Sequence, residues 1–292
     1  MILSGDKTQQ TSAKPFVKWL GGKRQLISEL DSRLPENLDV YFEPFLGGGA
    51  LFFHLAHRIN QAYLSDINQE LILSYKAIQN EPNRLIRELS KHKNTEEHFQ
   101  EIRDVDRNSD YEWNWTPLQK AARFIYLNKT CFNGLYRVNS QGHFNVPFGH
   151  YENPKIVDEE NIYACNSVLC RPGVFLDCKN YSSILREVRS LVSLQKKVFV
   201  YLDPPYIPIS ISSSFTQYSK DGFTMADQKS LKEFCYSLTD LGVFWMQSNS
   251  SAPVVFEMYK EFNIDTISVR RSVSAASSSR KQITETIIRN YK

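Results

Sequence analysis

The run VFVYLDPPYIPIS, residues Val198 to Ser210, puts an acid, two prolines and a tyrosine straight after an apolar, strand-like segment. Proline has no N–H to give a sheet ladder, so the strand is predicted to end at Asp203. The Asp203 carboxylate and the Pro204 carbonyl are then two acceptors held close together, and Tyr206 adds a flat face. The exocyclic amine of a nucleobase has two N–H donors and a lone pair delocalised into the ring. Two acceptors gripping those hydrogens favour a pyramidal nitrogen and return the lone pair to it. Such a nitrogen can attack a methyl sulfonium held in line at near-attack distance, with the base stacked on Tyr206. An amine inside a duplex is out of reach, so the base has to be turned out of the stack. Taken alone, Asp-Pro-Pro is also an ordinary surface turn, and the rest of the chain has to decide between the two.

A second candidate lies upstream in EPFLGGGALF, where Gly47, Gly48 and Gly49 let the backbone turn sharply and approach a ligand. About 20 residues on comes Asp66, the spacing at which an acid meets a ribose diol. A plain tight turn with a helix-capping aspartate is the simpler alternative. A dinucleotide fingerprint would need a third glycine where Phe52 stands, and LGGKR has neither the spacing nor the hydroxyl of a phosphate loop. What remains is a nucleoside cofactor without phosphates, of which S-adenosylmethionine is the commonest. Its positive sulfonium suits an acidic and aromatic lining, and Glu43, Asp66 and Asp203 are the acids in reach.

Both candidates need strands that stop at one edge of a sheet. DVYFEPF predicts the first strand, ALFFHLAHRI a helix, AYLSD a second strand closing at Asp66, and INQELILSYKAIQ an amphipathic helix. A short helix over 24–34 precedes them. This order is that of an α/β unit on a parallel sheet, which binds ligands at the carboxyl ends of its strands. Over 81–154 the alternation lapses into charged helical segments and then a glycine- and asparagine-rich stretch, which predicts an inserted domain. It resumes with GVFLDC, the helix YSSILREVRSLVS, KVFVYLD, a helix over 226–239, GVFWMQS and a helix near 252–261. FNIDTISVR and TETIIRNY read as a final antiparallel pair. The expected division is a catalytic domain over 14–80 and 155–292 around an insert over 81–154.

Composition narrows the classes. The 292 residues carry a net charge of +3, too mild to imply a nucleic-acid partner by itself, while 15 Tyr and 18 Phe among basic residues suit stacking on bases. An aromatic core explains them equally well. The five cysteines include no C-x-x-C pair, which argues against a zinc site or a disulfide framework. His54 and His57 lack a third ligand nearby, so no metal is expected, and Cys131 reads as packing. No signal peptide is visible and no apolar run approaches the roughly 18–20 residues of a membrane helix, so the expected setting is the cytoplasm.

With KPFVKWLGGK, YFEPFLGGGALF, LSDIN, FNGLYRVNSQGHFNVPFG and DPPYIP in this order, the chain resembles, nearly end to end, the Dam-type DNA adenine-N6 methyltransferases of the alpha group, which include modification enzymes specific for GATC. The resemblance implies a Rossmann-like, seven-stranded class I S-adenosylmethionine-dependent methyltransferase sheet with an inserted, mainly helical target-recognition domain. It implies double-stranded DNA as substrate, a monomer or weak dimer, and for a modification enzyme a cognate endonuclease encoded nearby. By motif, the cofactor would be lined by Trp19, Gly21 and Lys23 of KWLGGK, by Glu43, Phe45, Gly47 and Gly49 of the glycine turn, and by Asp66 and Asp203. Asp203 would serve both cofactor and base, and Phe215 in SFTQY would enclose the flipped adenine with Tyr206.

For the target, Arg137 suits bidentate contact with guanine O6 and N7, Leu135 or Phe132 can wedge into the stack, and Pro147 can touch a thymine methyl. The resemblance assigns Arg137 and Lys18 to guanines of the site, and Asn133 and Asn139 fall in the same motif. His150 departs from the family, which often has a basic residue there. A surface salt bridge is the plain alternative for Arg137. Arg271, with Arg270, Arg280 and Lys281, would meet backbone phosphates or form a solvated hairpin tip. The clamp would also hold a cytosine amine, but N4-cytosine enzymes more often show serine at the position of Asp203. Amide methyltransferases of protein or RNA usually begin the motif with asparagine, and a silent DNA-binding module would not need an intact DPPY.

Overall fold

The computed structural model describes residues 12–208, 223–270 and 282–292. In chain order the elements are α1 (Ile27–Asp31), β1 (Val40–Glu43), α2 (Ala50–Leu55), β2 (Gln61–Asp66), α3 (Gln69–Asn80), α4 (Pro82–Leu89), α5 (Glu96–Asp104), α6 (Tyr111–Asn114) and α7 (Pro117–Thr130). They continue with α8 (Glu159–Leu169), β3 (Val174–Cys178), α9 (Leu185–Ser193), β4 (Val198–Leu202), α10 (Met225–Asp240), β5 (Phe244–Ser250), α11 (Pro253–Met258), β6 (Asn263–Arg270) and β7 (Gln282–Arg289). Two compact units result: one holds 12–22, 47–56 and 68–172, and the other Lys23–Leu46, His57–Ile67 and the described residues of 173–292, namely 173–208, 223–270 and 282–292.

The second unit carries a seven-stranded sheet in the order β3-β2-β1-β4-β5-β7-β6. Strands β1 to β5 run parallel, and β7 alone runs against its neighbours. This is the mixed α/β sheet of a class I S-adenosylmethionine-dependent methyltransferase, as the sequence led one to expect. Strands β1 and β4 read as continuous apolar runs because they are buried on both faces. Val40, Phe42, Val200, Leu202 and Trp245 from the sheet pack against Val188 of α9, Leu231 and Phe234 of α10 and Val255 of α11. From β1 the chain winds outward to β2 and β3, then returns to place β4 on the other side of β1. The strand order therefore reverses between β1 and β4, the place where open α/β sheets bind ligands.

The first unit is helical. Helix α7 is its axis: α3, α4 and α5 pack on it, and α8 packs on α3 and α4. It begins with Thr116 and Gln119 as a reciprocal capping box and Pro117 at its first position. It buries even Arg123, which pairs with Glu70 at 3.1 Å and Asp106 at 2.7 Å. Two expectations are corrected here. The helix over 24–34 is instead a 3-10 turn at Lys23–Gln25 followed by the short α1, and the last helix stops at Met258 rather than near 261. Helix α8 had no counterpart in the sequence reading. Its asparagines obscure the apolar spacing of Ile162, Cys165 and Leu169, yet they grip backbone: Asn166 donates to the Ile78 and Gln79 carbonyls, and Asn161 brackets Lys14.

Candidate active site

In the sheet unit, β4 ends at Leu202 and hands the chain to Asp203, as its prolines require. Lys23 Nζ lies 2.8 Å from Asp203 Oδ1 and 4.8 Å from the centre of the Tyr206 ring. The Tyr206 hydroxyl donates to Glu285 Oε2 at 2.7 Å, so four side chains form one chain of contacts. Burial pushes the Asp203 carboxyl above its ordinary range, Lys23 opposes that, and the Glu285 carboxylate adds to it. Burial first, then Asp203 and Glu285, hold the Tyr206 phenol far above its usual value, so it stays a donor.

The segment after Asp203 is pinned on both sides. Gln228 Nε2 on α10 donates to the Pro205 carbonyl at 2.8 Å, and the Ile207 N–H donates to Asn249 Oδ1 on β5 at 3.3 Å. Ser250 Oγ donates to the Ile207 carbonyl. Among the described residues none donates to the carbonyl of Pro204, the backbone acceptor that follows Asp203 in the chain. Two acceptors and a braced ring at a strand end can hold an aromatic amine.

The other acids expected in this unit stand at neighbouring strand ends. Glu43 closes β1, is buried, and accepts from Tyr41 Oη at 2.8 Å. Asp66 closes β2, with its carbonyl taking the Lys179 N–H at 3.2 Å. Phe45 stacks on Tyr181 with 5.2 Å between ring centres.

The helical unit holds the glycine turn and the tryptophan. Gly47 has φ of +47°, and a Cβ there would fall 2.5 Å from Trp19 Cδ1, so the turn is bare because the indole lies against it. Trp19 also stacks on Tyr136, at 5.9 Å and 22°. The Tyr75 hydroxyl donates to the Gly47 carbonyl at 3.1 Å. Gly49, at φ +64°, is the residue before α2 and, like Gly21 at +75°, uses the left-handed region that glycine adopts without strain.

In the same unit Asn128 joins KWLGGK to FNGLYRVN. Its Oδ1 accepts from Lys18 N at 2.8 Å, and its Nδ2 donates to the Lys18 and Gly134 carbonyls at 2.8 and 2.9 Å. The Lys18 stem lies on Gly134, where a Cβ would come within 2.5 Å of Lys18 Cδ. Its ammonium is 4.7 Å from the Tyr151 ring centre. Phe132 is 51% exposed, Leu135 is half-buried, Pro147 is exposed, and the Asn133 N–H donates to Tyr151 Oη at 3.0 Å. Arg137 is exposed and braced by one amide: Nε donates to Asn145 Oδ1 at 2.7 Å and Nη2 to the Asn145 carbonyl at 3.0 Å. Its partner is thus an amide and not the carboxylate of a surface salt bridge. Asn139 Oδ1 accepts from the Gln141 and His143 N–H groups, engaged in its own turn. Phe215, Arg271, Arg280 and Lys281 lie outside the described residues.

Sequence reasoning did not single out Glu285, Asn128, Tyr136, Tyr151 or Asn145. Among the described residues no three His, Cys, Asp or Glu side chains gather as a metal site, and no helix is long and apolar enough to cross a membrane. Burial pushes the Cys131 thiol up to about 11, so it is a poor nucleophile.

The seven-stranded mixed sheet places the protein in the class of S-adenosylmethionine-dependent methyltransferases. Within that class, the chain belongs to the D12 class of N6 adenine-specific DNA methyltransferases, whose family model matches residues 19–273. It is 43% identical over 280 residues to the type II methyltransferase M1.LlaDCHI of Lactococcus lactis subsp. cremoris, covering 95% of each chain. It is 38% identical over 305 residues to the type II methyltransferase M.MjaIII of Methanocaldococcus jannaschii, covering 95% of this chain and 99% of that one. The DNA adenine methylase of Escherichia coli K12 is 30% identical over 276 residues, covering 93% of each. Adenine is therefore the base, and the cytosine, protein and RNA alternatives fall away.

Proposed function

We propose that this enzyme methylates the N6 amine of adenine in GATC duplex DNA, using S-adenosylmethionine and turning the adenine out of the helix into a pocket formed at Asp203–Tyr206. The observation that carries the reading is the Asp203 carboxylate at the end of β4, paired with Lys23 and followed by a tyrosine contacted at both its ring face and its hydroxyl. The GATC assignment rests on the likeness of FNGLYRVN and FNVPFG to the GATC-specific members of the family. Residues 14–80 and 155–292 would do the chemistry, and 81–154 would read the target. The type II relatives support a role as the modification half of a restriction–modification pair.

The donor set fits the cofactor. In the sheet unit Glu43 and Asp66 are acids at strand ends for the ribose and for positive charge, with Phe45 as an aromatic face and Lys23 beside Asp203, and by the resemblance Trp19, Gly21, Gly47 and Gly49 would also contribute. S-adenosylmethionine supplies an electrophilic methyl group when bound. Asp203 and the Pro204 carbonyl accept the two amine hydrogens, and Asp203 holds the proton lost as the nitrogen is methylated. Tyr206 stacks on the adenine and fixes its plane, and by the resemblance Phe215 would help enclose it. Lys18 and Arg137 take guanine edges, Pro147 touches a thymine methyl, Asn133 and Asn139 contact DNA from the same motif, Phe132 or Leu135 fills the gap left by the adenine, and Arg271 meets phosphate. Incorporation of labelled methyl groups into a GATC duplex, its four-position single substitutions, RNA and protein tests this. Incorporation into GATC alone is expected, and equal incorporation into a substituted site would overturn the assignment.

A further inference from the structure

We propose that Glu285 is a positioning residue for methyl transfer, fixing where the far end of the Tyr206 ring sits through its hydrogen bond to the phenol. The inference rests on the reading of Tyr206 as the surface on which the adenine stacks. Glu285 reaches that place through sheet register. Strand β7 runs against β5 and pairs Glu285 with Ser250, the last residue of β5, so its side chain arises at the ligand-binding edge of the sheet. On its other side Glu285 pairs with Ile267 of β6. The backbone there is fixed. Thr286 Oγ1 donates to the Asn249 and Ser250 carbonyls at 3.2 and 3.0 Å, and Ser251 Oγ donates to the Thr284 carbonyl at 3.0 Å. Successive strand side chains alternate in direction, so Glu285 faces away from both threonines.

A carboxylate in this half-buried position needs a reason. Among the described residues no lysine, arginine or histidine pairs with Glu285, and its partner is the Tyr206 hydroxyl at 2.7 Å. An aromatic side chain rotates about two bonds, and the prolines before it fix only its backbone. A bond at the para hydroxyl, which lies on the second of those axes, fixes the direction of the ring, while Lys23 over one face limits its rotation. A base arriving on Tyr206 then meets a surface already in place, which favours near-attack geometry over duplex affinity.

Single-turnover methylation by Glu285→Ala, Glu285→Gln, Tyr206→Phe and the double variant Glu285→Ala/Tyr206→Phe tests the proposal, with melting temperature and duplex Kd measured alongside. Glu285→Ala and Tyr206→Phe should each slow the step by roughly tenfold, the order expected of one charge-assisted hydrogen bond. Glu285→Gln keeps an acceptor and should retain most of the rate. The double variant should be no slower than either single change, because both remove the same bond. Duplex Kd should not move. Multiplicative losses, or wild-type rates in Glu285→Ala or Tyr206→Phe, overturn the proposal. Should Glu285→Ala fold poorly, Tyr206→Phe at wild-type rate overturns it alone. Tyr206→Ala separates the two readings: an inactive Tyr206→Ala beside unimpaired Glu285 variants sinks only the role of Glu285, whereas an active one sinks base stacking itself.

Discussion

Lys23 Nζ sits 2.8 Å from Asp203 Oδ1, and only 5% of the lysine side chain and 21% of the aspartate side chain are exposed. The pair sets the charge state of the proposed clamp. Asp203 has to be ionised to accept from an amine, burial works against that, and Lys23 restores it. As pH falls through the raised pKa of Asp203 the carboxylate is lost, so kcat/KM should decline on the acid side at a higher pH than an ordinary aspartate would give. Lys23→Met removes the opposing cation and should move that limb to still higher pH. An acid limb unchanged by the substitution would dissociate Lys23 from the state of Asp203.

The bracing of Arg137 by Asn145 leads to a graded expectation for specificity. Arg137→Ala should cost about 1–3 kcal/mol of discrimination at one base pair, with the other positions still selective. Asn145→Ala removes the bond from Arg137 Nε to Asn145 Oδ1 but keeps that from Nη2 to the Asn145 backbone carbonyl, so the guanidinium is present and less firmly braced. It should give a smaller loss at the same base pair. Methylation rates on GATC and its single substitutions measure both. Uniform weakening across all sequences, with a shallower salt dependence, would instead make Arg137 a phosphate contact.

Much of this was legible in the sequence where the signal is local. The alternating strands and helices, the stop at Asp203 and the sharp glycine turn follow from proline and glycine chemistry within a few residues. The contacts that lock the site are not local. Tyr206 and Glu285 are 79 positions apart, and Lys18 and Asn128 are 110 apart. A period-two pattern fixes which face of β7 is buried but not which residue of β5 it meets, so an acid inside TETIIRNY carries no sign of its partner. Asn128 reads as one more polar residue on a helix until its two-sided grip on Lys18 is seen. Gly47 carries a further non-local contact: a side chain there would meet the indole of Trp19, 28 positions away, which the glycine turn alone does not reveal.

Acid stability should depend on His92. Its ring lies flat on Tyr126 at 4.4 Å, with Nδ1 3.1 Å from His98 Nε2. Burial, then the neighbouring His98, lowers its pKa from 6.5 to about 4. Between those values the unfolded chain binds a proton that the folded protein refuses. The stability is therefore complete above pH 6.5 and is lost as pH falls towards 4. After discounting for the ring's partial exposure, the loss should be about 2 kcal/mol. His92→Phe keeps the stacking and cannot titrate, so denaturant midpoints between pH 7 and 5 should fall less in the variant. An equal fall would assign the acid sensitivity to other groups.

The most direct test of the account is single-turnover methyl transfer by Asp203→Ala on a GATC duplex, read beside its circular dichroism and duplex affinity. In the proposed mechanism the clamp acts on the reacting nitrogen, while groove and phosphate contacts would lie elsewhere in the chain. The account predicts that methyl transfer is abolished, that cofactor binding weakens, and that the fold and the duplex affinity persist. Near-normal turnover by Asp203→Ala would contradict it.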